Sequence, residues 1–171
     1  GKSIVFQNIY FINGEFIFNG SVNESEVSTY PNVHYRHTNF ELWKPKIVEL
    51  QEQDVEIITN LCFYIKETMH YHPGHTLADD IFSIFYTLNK CNIDYNPIIP
   101  ILDVGNLYNT ETYYDCKEMF NTLFGNKAIT LNHFTNTYKN VCIKTLVVGN
   151  AESGFSTFDH NYVMPFKDDI W

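Results

Sequence analysis

Arginine is almost missing from this chain. Arg36 is the only one in 171 residues, and 11 lysines and arginines face 20 aspartates and glutamates, a net charge of −9. Nucleic-acid binders neutralise phosphates with a basic stripe, and anionic membranes attract basic clusters. With neither present, nucleic acid and membrane are not expected as partners of this segment. No apolar run reaches the roughly 18 residues of a membrane-spanning helix. The glycine patterns that cradle nucleotides, the P-loop and G-x-G-x-x-G, are also absent. No G-x-S-x-G nucleophile elbow occurs, because Glu152-Ser153-Gly154 lacks the first glycine. Cys62, Cys91, Cys116 and Cys142 form no C-x-x-C pair, which argues against structural zinc. Their number permits two disulfides or four thiols, and their apolar neighbours favour core positions.

What is present suits one globular domain covering residues 1–171. Apolar residues make up 44% and charged residues 18%, enough to build a core and too few charges for a disordered chain. Asn19-Gly20-Ser21 and Asn23-Glu24-Ser25 are glycan acceptor triplets, of use only in a secretory compartment.

Ile4-Val5-Phe6, Tyr10-Phe11-Ile12 and Glu15-Phe16-Ile17-Phe18 predict a hairpin closed by Asn13-Gly14, a pair that tolerates the positive φ of a type I′ turn. Residues 19–32 read as a surface loop. Around Trp43-Lys44-Pro45-Lys46-Ile47-Val48 the proline restricts any strand to an edge or a late start. Val55 to Ile65 is β-branched and aromatic, the pattern of a strand. Leu77, Ile81, Ile84, Phe85 and Leu88 recur at helical spacing after Pro73-Gly74. Ile98 to Leu102 predicts a strand interrupted by Pro100, and Glu111 to Phe124 a helix stopped at Gly125-Asn126. Ala128 to Leu131 and Val141 to Val148 predict two more strands, and the tail from Gly149 a loop. The strand–helix alternation predicts an α/β fold with a mostly parallel sheet.

Open α/β sheets bind ligands beyond the carboxyl ends of their strands. His75 and Asp79 lie four apart at the start of the expected helix, so they share a face. A carboxylate there fixes the imidazole tautomer and raises its basicity. This makes His75 a candidate general base, oriented by Asp79 or Asp80. The plainer role is that the two acids complement the helix dipole, which itself disfavours imidazolium at that end. His70, His72, His75 and Asp79 also have ligand types suited to zinc or iron, as in a metal-dependent hydrolase, although Pro73-Gly74 breaks the run. Residues 149–160 mix Phe155 and Phe158 with Asn150, Glu152, Asp159 and His160. Such a mixture can stack on a sugar ring and take its hydroxyls, or can simply be a surface loop.

Three segments resemble the N-terminal half of glycosyltransferase family 61. They are Val5-Phe6-Gln7-Asn8-Ile9-Tyr10-Phe11 with Glu15 to Phe18, then Gly74-His75-Thr76-Leu77-Ala78-Asp79-Asp80 through Leu88, and Asn140 to Gly149 with Gly154-Phe155 and Tyr162-Val163-Met164-Pro165. The resemblance implies a Rossmann-like half of a two-domain GT-B enzyme, in the secretory lumen. It implies inverting transfer from a nucleotide-sugar donor to a glycan or glycoprotein hydroxyl, with no catalytic metal and no further cofactor. It also implies that His75, Asp79 and Asp80 sit at the cleft as catalytic residues, with His72, Gly74, Asn150, Glu152 and Phe155 contacting substrate. Family members continue beyond the position of Trp171 into a donor-binding half. The expectation is therefore an acceptor-side domain, inactive alone, with an exposed inter-domain face able to self-associate. The alternative is a carbohydrate- or protein-binding module of the same fold.

Overall fold

The hairpin forms as its turn chemistry requires. In a computed structural model, which describes residues 3–31, 42–51, 54–66, 73–94, 97–104 and 118–149, β1 (Ile4–Ile12) turns through Asn13 and Gly14 into β2 (Glu15–Asn19). Their φ values of 51° and 87° are both left-handed, as a type I′ turn needs. Strand β1 is not evenly alternating. Asn8 takes a φ of 56°, and the buried positions change phase across it, from Phe6 to Ile9 and Phe11.

The remaining elements are β3 (Lys46–Val48), β4 (Glu56–Lys66), a helical stretch, β5 (Ile98–Asp103), helix α3 at residues 118–123, β6 (Ile129–Thr130), α4 (Leu131–Thr137) and β7 (Asn140–Val148). The helical stretch begins with α1 (Pro73–His75), widens to π geometry over Thr76–Ile81, and continues as α2 (Phe82–Lys90). Helix α3 ends at Gly125, whose φ of 62° lets the Asn126 amide donate back to the Asn121 carbonyl at 2.8 Å.

The strands form one seven-stranded sheet in the order β3-β2-β1-β7-β4-β5-β6. β1 is antiparallel to both of its neighbours, and every other pairing is parallel. Strands β2 to β7 therefore run one way and β1 alone opposes them. The α/β class and mostly parallel sheet expected from the alternation are found, with β3 at the edge.

Both faces of the sheet are covered. On one face, Phe63, Ile65, Leu102 and Val147 pack against Ile81, Ile84 and Leu88 of the helical stretch and Phe120 of α3. On the other, Phe6, Ile9, Phe11, Tyr64 and Ile143 meet Phe134 of α4, with Val27 and Trp43 completing the layer. The described helices of the first two crossovers after β4 thus lie on one face and α4, between β6 and β7, on the other. The order of strands reverses between β4 and β7, as in a doubly wound sheet.

Three local expectations change. The stretch 19–32 is not all surface, because Val27, Ser28 and Thr29 are buried under the sheet. Pro100 does not interrupt β5. It pairs with Phe63 of β4, while β6 pairs only with Ile101 and Leu102, so the missing amide falls where β6 offers no partner. The expected strand from Ala128 to Leu131 is cut to two residues by α4, which the sequence pattern did not indicate.

Candidate functional site

A reversal of strand order opens a crevice at the carboxyl edge, because the helices on either side diverge onto opposite faces. Here the reversal lies between β4 and β7, where Tyr64 pairs with Val148. The segment after β4 leads to Pro73 and His75, and the segment after β7 begins at Gly149. Both groups of candidate residues thus belong to segments that leave adjacent strand ends.

Of the candidates themselves, Gly74 is exposed and His75 closes α1. Asp79 and Asp80 fall in the π stretch, and Asp80 is fully buried. The side chains of His75 and Asp79 lie outside the described residues, as do His70, His72, Asn150, Glu152 and Phe155 altogether. Stretches of π geometry concentrate at functional positions, and this one starts at the residue after His75. The hydroxyl of Thr76 is buried there with no hydrogen-bond partner among the described residues. No cluster of metal-ligating side chains occurs among the described residues, and no described helix is long and apolar enough to cross a membrane.

Beside the reversal is a cleft of about 250 Å³ whose residues the sequence reading did not single out. Its walls include Trp43, Tyr64, Lys66 and Asp103, with Pro31, Leu42 and Lys44 around them. Tyr64 and Asp103 meet because β4 and β5 are parallel and in register, with Lys66 opposite Asp103. The Tyr64 hydroxyl donates to Asp103 Oδ2 at 2.6 Å. Burial raises the phenol's pKa, and the neighbouring Asp103 charge and their hydrogen bond raise it further. The phenol therefore keeps its proton and holds the carboxylate in place.

Trp43 is fixed from two sides. Its backbone exchanges hydrogen bonds of 2.9 and 2.8 Å with Thr29, and its ring lies 5.6 Å from Phe6, Phe16 and Tyr64. The Lys66 amide donates to the Pro31 carbonyl at 3.3 Å, which ties the end of β4 to the same wall. A larger hollow of about 510 Å³ involves Glu15, Phe16, Glu24 and Lys46. It lies where β2 and β3 begin and is bordered by the exposed ion pairs Lys44–Glu24 and Lys46–Glu15. The amino edge of a parallel sheet is not its ligand side.

Among the described residues, no cysteine lines either hollow. Cys62, Cys91 and Cys142 are free thiols, and burial pushes the pKa of Cys62 up to about 12. Cys116 lies outside the described residues. Compared with known proteins, the chain matches no family model and no curated sequence.

Proposed function

We propose that this chain is the acceptor-side, Rossmann-like half of an inverting glycosyltransferase of the GT-B type, with His75 as the general base. The observation that carries the reading is the reversal of strand order between β4 and β7. The segments that hold the candidate residues leave from those two adjacent strand ends, as a ligand crevice in this architecture requires. The three sequence segments similar to glycosyltransferase family 61 supply the reaction class. In that reaction the acceptor oxygen attacks the anomeric carbon while its proton passes to the His75 imidazole. The nucleoside diphosphate leaves with the electron pair of the broken carbon–oxygen bond.

The test is His75→Ala in the product of the complete gene, assayed for transfer with a panel of nucleotide sugars. The expected result is a turnover loss of about a hundredfold or more, with donor affinity changed less than about twofold. Unchanged turnover removes His75 from the mechanism. Absence of transfer with every donor, beside retained binding of a saccharide, favours the non-catalytic binding module.

A further inference from the structure

We infer that the Asn13-Gly14 turn is a site of spontaneous modification, where the Asn13 side chain deamidates through a cyclic imide, while the fold protects Asn19-Gly20 from the same reaction. The inference concerns the β1–β2–β3 edge of the sheet and needs neither sugar transfer nor a bound ligand.

An asparagine followed by glycine is chemically labile. Glycine has no Cβ, so nothing obstructs its backbone nitrogen from turning back onto the preceding side chain. Asn13-Gly14 and Asn19-Gly20 are the two such pairs in the chain. Exposure does not separate them, since both asparagines are exposed.

Hydrogen bonding does separate them. At the end of β2 the Gly20 amide donates to the Val48 carbonyl at 3.1 Å, and Asn19 Oδ1 accepts from the Leu50 amide at 2.8 Å. The nucleophile and the carbonyl group it would attack are thus both held where β2 meets β3. In the turn, the Asn13 amide donates to the Lys139 carbonyl at 2.9 Å, which anchors only the near side. Among the described residues, neither the Gly14 amide nor the Asn13 side chain has a hydrogen-bond partner. Swinging that amide toward Asn13 Cγ therefore breaks no hydrogen bond of its own, and glycine tolerates the change of backbone angle.

In the reaction the Gly14 nitrogen bonds to Asn13 Cγ and gives up its proton. The Cγ–Nδ2 bond breaks, and Nδ2 leaves as ammonia with that proton. Water then opens the imide at either carbonyl. One product is aspartate, which the turn still accepts, because Asp-Gly suits a type I′ turn as Asn-Gly does. The other is isoaspartate, whose main chain is lengthened by a methylene, so the close pairing of Ile12 with Glu15 no longer fits the turn. Either product places a new negative charge near Glu15.

The experiment is peptide mapping by mass spectrometry of the chain aged in mildly alkaline buffer, one sample folded and one in urea. Conversion reads as the mass rise of amide-to-acid exchange, with the isoaspartyl peptide resolved by its elution. In urea both sites should convert at similar rates, because each is an exposed Asn-Gly pair in an unfolded chain. In the folded protein Asn13 should convert about tenfold or more faster than Asn19, where two hydrogen bonds must open first. Equal rates in the folded protein, or a faster Asn19, overturn the inference. So does a folded sample in which Asn13 stays intact while the urea sample converts. An equally large gap in urea also overturns it, because local sequence and not the fold would then set the difference.

Discussion

Tyr64 does two jobs with one side chain. Its ring belongs to the core, 5.5 Å from Phe16 and 5.6 Å from Trp43, and its hydroxyl reaches the carboxyl edge to hold Asp103. Tyr64→Phe keeps the ring and deletes the bond. Hydrogen bonds to charged groups are worth about 1.5–3 kcal/mol, so the variant should lower unfolding free energy by about that amount in urea titration, with little change in slope. None of this was legible in the sequence, where Tyr64 is one aromatic in a β-branched run and Asp103 stands 39 residues away. The cysteines were more legible. Their apolar neighbours pointed to the core, and Cys62 and Cys142 are indeed buried, whereas Cys91 is partly exposed at the end of α2.

Among the elements, α4 shows where pattern reading fails. Leu-Asn-His-Phe-Thr-Asn-Thr is poor in strong helix formers. It folds because Thr130 Oγ1 accepts from the His133 amide at 3.1 Å and because Phe134 is buried against Phe11 at 5.0 Å. Thr130→Ala should therefore cost about 1 kcal/mol, read as a lower thermal midpoint. A midpoint unchanged by the substitution would mean that packing alone holds the helix. The helical stretch before α2 shows the reverse case. Leu77, Ile81, Ile84, Phe85 and Leu88 announced a helix correctly, but periodicity does not register the widened turn over Thr76–Ile81. That turn differs from α geometry by a single residue in the hydrogen-bond ladder.

At the scale of the whole molecule, burial of weak acids against the sheet sets how stability responds to alkali. Cys62 ionises near 9 in the unfolded chain and at about 12 when folded. Tyr64 is likewise raised above its ordinary value of 10.0. Above pH 9 the unfolded state releases protons that the native state keeps, so stability must fall as pH rises. The decline should begin near pH 9, steepen past pH 10, and reach up to about 1.4 kcal/mol per pH unit for each group. Neither group contributes any slope near neutrality. Urea midpoints between about pH 8 and pH 11 measure this, and Tyr64→Phe should remove the part that starts near pH 10.

Local chemistry was enough for the α/β class, the Asn13-Gly14 hairpin, the restriction of β3 to an edge or a start after Pro45, and the principal helix. Turn preferences, proline's missing amide and apolar periodicity act within a few residues, and each is written along the chain. The strand order was not available there. It depends on which strands pair across more than a hundred residues, as β1 does with β7, and on the face each crossover takes. That order brings the ends of β4 and β7 together, and the parallel register of β4 and β5 sets Tyr64 beside Asp103. The placement of the cleft is thus a property of long-range pairing, which no short window of sequence contains.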